Sequence, residues 1–99
     1  MQQPMLQRAN RAKEVNETIA DIIVARARAS RRKTGKTKSS YNEFDIEEIA
    51  QAITPDWNLA SAYGVYEALN TVHGVKVVYD NSLQIGPAEW LNVIYLTLD

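Results

Sequence analysis

Seven of the chain's eleven lysines and arginines fall in the run RARASRRKTGKTK at 26–38. Two chemistries use residues of this kind. The first is nucleotide binding. Ser30 to Thr37 matches the phosphate loop GxxxxGKT at every position but the first, where Ser30 replaces glycine. That loop needs the glycine for its tight backbone, and it must join a strand to a helix. Here a helical stretch precedes the run, and 99 residues leave little room for a parallel nucleotide-binding sheet. The nucleotide reading is set aside.

The second chemistry is nucleic-acid binding. Arg26, Arg28, Arg31, Arg32, Lys33, Lys36 and Lys38 can neutralise backbone phosphates. Each such contact on duplex DNA contributes a log–log salt slope of roughly −0.9. Helical spacing puts Arg28, Arg31 and Arg32 near one another, with Lys36 and Lys38 on loop backbone beyond. No aromatic residue is interleaved, so base stacking is not indicated. The contact expected is to the backbone, with little sequence preference. A plainer account competes. Cations gather at helix C-termini, where they meet the negative end of the helix dipole. That covers three or four bases, and pairing with acids of the same chain would cover the rest.

The charge is polarised. Residues 1–38 carry ten Lys/Arg and three Asp/Glu, a balance of +7; residues 39–99 carry Lys76 and nine Asp/Glu, a balance of −8. A basic arm beside an acidic body fits an anionic partner for the arm. It also fits an acidic body, residues 39–99, that docks a basic protein surface and in the extreme mimics DNA or inhibits a DNA-binding target.

Little points to catalysis or to a cofactor. The chain has no cysteine, which removes thiolate nucleophiles, disulfides and thiolate metal sites. The one histidine, His73, precedes Gly74 at a helix end and reads as a cap. Glu47 and Glu48 are adjacent on a helix and point different ways, and with Asp45 they make no metal-ligand spacing. Trp57 and Trp90 read as lids on a small core, and Tyr63 and Tyr66 as core. No enzyme activity, metal or cofactor is expected. The absence of a membrane-length apolar run and of a secretory segment gives the expectation of a cytoplasmic, soluble protein.

The elements that must position the basic run follow from periodicity. One domain, 1–99, is expected. Pro4 suits a helix N1 position, and Met5, Ala9, Ala12, Val15, Ile19, Ile22 and Ile23 recur at helical spacing. Residues 1–33 therefore read as a long N-terminal helix. Run unbroken from Pro4 to Arg32, it would be about 44 Å long at 1.5 Å per residue, too long for a domain with a radius of gyration near ~13 Å. It should break, fray, or meet another chain, and a homodimer through this helix is expected. Residues 34–44 read as a basic, polar loop. Residues 45–99 read as a helix-turn-helix plus β-hairpin. Asp45 is the expected N-cap, with Glu48 in capping-box spacing and Phe44 and Ile49 as a hydrophobic staple. A third helix over 59–72 buries Leu59, Ala62, Tyr63, Tyr66, Leu69 and Val72. Strands are expected at 75–79 and 92–98, joined by a long connection at 80–91 with a short strand at 83–85.

This order, carried by FDIEEIAQAI, TPDWN, LASAYGVYEALNTVHG and the strands around YDNSLQIGPAEWL, resembles the winged-helix superfamily over roughly residues 15–98. The resemblance implies an α+β fold of three helices followed by an antiparallel hairpin. It also implies DNA binding through the third helix and the wing, as in a transcriptional regulator or an architectural DNA binder. The sequence departs from that pattern. The outward face of the third helix offers Ala60, Ser61, Gly64, Glu67, Ala68 and Thr71, with no arginine or lysine to read base edges. The hairpin connection has no base either. Asn58 and Ser61, at the start of the helix, complete the candidate contact set.

Overall fold

The computed structural model describes residues 4–55 and 57–99, with side chains described from Asn10 onward except at Trp57. The burial of Met5, Ala9 and Trp57 lies outside the described residues. Helix α1 spans Pro4–Thr34 without a break. Its 31 residues make it about 46 Å long at ~1.5 Å per residue. The molecule measures 51 × 35 × 23 Å, so α1 sets its long dimension. The helix does not break, and no glycine or proline interrupts it after Pro4. Its core side comes from Ile19, Ala20, Ile23, Val24 and Ala27.

Where a loop was expected at 34–44, the chain forms strand β1 (Lys38–Asn42) and the first turn of α2 (Glu43–Ile53). Lys38–Asn42 has little β-propensity of its own, and pairing with the last strand overrides it. The cap of α2 lies three residues before the expected one. Asn42 is the N-cap and Asp45 sits at N3. Each side chain accepts a hydrogen bond at 2.9 Å from the other's backbone N–H, a reciprocal capping box. Phe44 is exposed and forms no staple against the buried Ile49.

After α2, a 3-10 turn covers Trp57–Leu59, and α3 spans Ala62–Thr71. Its buried stripe is Ala62, Val65, Ala68 and Leu69. That stripe is rotated from the expected one: Tyr63 and Val72 are exposed, and Ala68 turns inward. Val65 and Leu69 are apolar at i, i+4 and present no hydroxyl that would need a partner.

The sheet has three antiparallel strands, not two. Strand β2 (Lys76–Gly86) and strand β3 (Glu89–Thr97) form a hairpin, and the strand order is β1-β3-β2. The expected connection over 80–91 is mostly strand, with only Pro87 and Ala88 in the turn. Asp80-Asn81-Ser82, a turn signal, forms a bulge instead. There the Asp80 carboxylate accepts hydrogen bonds from the Ser82 N–H at 2.8 Å and its hydroxyl at 2.6 Å. One sheet face packs on the helices through Ile94, Leu96 and, partly, Tyr41, Val77 and Tyr79. Fully burying each large aliphatic side chain contributes about 1.5–3 kcal/mol, so the fold is held where the middle of α1 meets α3 and this face. Among the described residues no helix is long and apolar enough to cross a membrane.

Candidate nucleic-acid interface

Gly35 closes α1. Its φ is +77°, a conformation that favours glycine, and its N–H bonds to the Arg31 carbonyl at 2.8 Å. This is the αL form of helix cap. The glycine that resembles part of a phosphate loop is thus a helix terminator, followed by Lys36-Thr37 and then a strand. The last turn of α1 carries Arg31, Arg32 and Lys33, which satisfy the dipole. The Thr37 carbonyl takes the Leu98 N–H at 2.8 Å, so the loop is tied to the end of β3.

The structure brings most of the seven bases to one end of the molecule. Arg28 and Arg31 line a cavity with Lys76 and Thr97. Lys38 lines a shallower one with Tyr95 and Thr97. Arg26 faces the other flank of α1. Its charge opposes the burial that holds the Tyr41 hydroxyl above the ordinary phenol range, and Asp45 adds to that rise. Arg31 donates a hydrogen bond to the main-chain oxygen of Asp99. Among the described residues, none of Arg26, Arg28, Arg32, Lys33, Lys36 and Lys38 forms an ion pair with an acid.

Asn58 and Ser61 lie elsewhere, in a cavity of about 310 Å³ that also takes in Glu43, Glu47 and Asn92. Ser61 is the N-cap of α3. Its hydroxyl accepts the Gly64 N–H at 3.0 Å, and its own N–H donates to Asn16 Oδ1 at 3.1 Å. Both polar groups of Ser61 therefore serve the fold. His73 is not simply a cap: its Nε2 lies 2.6 Å from Asp21 Oδ1 on α1.

The outward side of α3 carries no base. Tyr63 is 54% exposed, and the Glu67 carboxylate, accepting its hydroxyl hydrogen bond, raises the phenol above its usual range. Tyr63 also packs edge-on to Tyr79, centroids 5.4 Å apart, and against Tyr66 at 5.6 Å. The far end of the hairpin carries apolar side chains: Leu83, Ile85 and Trp90 are all about half exposed. Trp90 is thus no lid on the core. The expected short strand at 83–85 is part of β2, and Trp90 belongs to β3.

Two further residues contribute that have no signal in the sequence. Asn16, 8% exposed, is the buried polar side chain that joins α1 to the start of α3. Lys76 lies outside the basic run, and only the sheet register brings it to that end. Among the described residues no group of three or more His, Asp or Glu could hold a metal ion. No protein-family model, curated protein or solved structure matches the chain.

Proposed function

We propose that this is a winged-helix nucleic-acid-binding protein, a regulator or an architectural binder, that holds duplex backbone through the end of α1 and the loop after it. Three helices and an antiparallel sheet agree with the α+β class of that fold, although the sheet has three strands where the resemblance implied a two-stranded hairpin. The observation that carries the function is the unpaired state of the basic run. Had the bases served the fold, they would lie on acids of the acidic half. Six of the seven instead project without an acidic partner among the described residues. Exposed cations held by a rigid helix end exchange condensed counterions for phosphates, and the released ions drive binding.

The test is duplex binding at two salt concentrations, for wild type and for Arg28, Arg31, Arg32 and Lys33 all changed to alanine. Wild type should bind at low salt and weaken steeply as salt rises. Four lost phosphate contacts should flatten the log–log slope by up to roughly 3.6. Wild type that shows no salt-sensitive binding at low salt would end this reading.

One set of residues favours the rival, a protein-interaction module. Phe44, Leu83, Ile85 and Trp90 are exposed, and Glu43, Glu47 and Glu89 lie near them in sequence. Exposed apolar side chains with acids close by in the chain suit a basic protein partner, with Leu83 and Trp90 on opposite faces of the hairpin. Capture of such a partner by wild type, lost in Trp90→Ala and kept by the arm variant, would favour this rival.

A further inference from the structure

No aromatic residue lies within the basic run, but the fold sets one beside its end. Lys38, the last base of the run, opens β1 opposite Thr97 of β3, and Thr97 lies opposite Lys76 of β2. The next row with the same facing is Ser40, Tyr95 and Val78. Directly opposed residues, and residues two apart on a strand, share a face of the sheet. Both rows stand on the face turned away from the helices, since the alternate residues Val77, Ile94 and Leu96 pack on the core. Exposure follows the same alternation. Lys38, Ser40 and Lys76 are exposed, as are Tyr95 (45%) and Val78 (58%).

The two rows combine two kinds of contact. Neighbouring strands lie about 4.8 Å apart, so the backbones at Lys38 and Lys76 are roughly 10 Å apart, with Tyr95 about 7 Å along β3 from the residue between them. Among the described residues neither lysine forms an ion pair with an acid. Asp80 shares the face one row beyond Val78, opposite Val93, and its carboxylate is taken by the Ser82 N–H and hydroxyl. Asp99 follows the other end of β3, where Arg31 holds its main-chain oxygen. An exposed ring between cations suits a single strand: an unpaired base stacks on the ring while the ammoniums take the flanking phosphates. The bases of a duplex are already stacked and cannot use the ring. A second copy of the chain would bury both ammoniums under a protein face, where lysine is disfavoured.

We propose that this sheet face binds single-stranded nucleic acid, with Tyr95 stacking on an unpaired base and Lys38 and Lys76 holding the flanking phosphates. Lys38 is shared with the duplex contacts proposed above, but the stacking site does not rest on them.

The test is fluorescence anisotropy of a labelled oligothymidylate of about 12 nucleotides, titrated with the full chain beside a duplex of the same length. Wild type should bind the single strand. Tyr95→Ala should weaken that binding roughly tenfold, the usual scale of a lost base–ring stack, and leave duplex binding unchanged. Tyr95→Phe should keep the wild-type affinity, and Tyr95→Leu, which restores apolar cover without a ring, should lose it as the alanine variant does. Far-UV circular dichroism checks that each variant is folded. K38A/K76A, which leaves the ring and the core intact, should flatten the log–log salt slope on oligothymidylate by about 1.4, roughly 0.7 for each lost contact. No binding of oligothymidylate by wild type, wild-type affinity in Tyr95→Leu, an equal loss on duplex, or an unchanged slope in the lysine variant overturns the site. Tyr95-dependent binding of oligothymidylate with no duplex binding keeps the sheet site and ends the duplex reading. Duplex binding alone does the reverse.

Discussion

Gly64 and Asn16 meet where α1 lies against the start of α3, and their fit shows how one residue type is fixed by its neighbour. A Cβ at position 64 would come within 2.8 Å of Asn16 Cγ and 2.9 Å of Ser61 Oγ. Those distances are closer than carbon and oxygen tolerate, and Asn16 is buried with its Oδ1 bonded to the Ser61 N–H. Gly64→Ala must therefore push Asn16 aside and leave a donor and an acceptor unpaired. The expected cost is about 1–3 kcal/mol, read as a lower urea midpoint with unchanged slope. An alanine variant as stable as wild type would show that the Asn16 contact holds nothing together. None of this was legible in the sequence, where Asn16 looks like an ordinary polar helix residue and Gly64 like an outward one.

At the scale of elements, legibility followed local signals. The three helices show in apolar periodicity, and Gly35 and Gly74 mark two ends where φ is positive. The two long strands show in β-branched and aromatic runs. Strand β1 does not show, because Lys38–Asn42 becomes a strand only by pairing with β3. Asp80-Asn81-Ser82 misleads because the same side-chain-to-backbone bonds that make a turn also make a bulge. The α3 stripe was read one step out because tyrosines weigh as apolar in a periodicity count, whereas Val65 and Ala68 fill the interior. The basic run itself was fully legible; its link to Lys76 was not, since register sets it.

At the scale of the whole molecule, α1 is longer than its domain requires. Among the described residues its first buried side chain is Asn16, and residues 10–14 are mostly exposed. The outer sheet face also leaves Val78 and Tyr95 exposed directly opposite each other. A dimer through the first half of α1 would cover the one and set two basic ends on one ligand. Light scattering coupled to size exclusion should give twice the 11.2 kDa chain mass at micromolar concentration. A monomer there argues against the dimer and leaves the proposed phosphate contacts untouched.

In the proposed mode of binding, phosphate contacts come from the end of α1 and its loop, and α3 contributes little charge. The most direct measurement compares duplex binding across salt for three proteins: wild type, R28A/R31A/R32A/K33A, and E67Q/N70A/T71A on the outward face of α3. The first variant should lose most of the affinity and most of the salt slope. The second should keep the wild-type slope and bind at least as tightly, because Glu67 no longer repels the backbone. The reverse pattern, with binding lost from the α3 variant and kept by the arm variant, would contradict it.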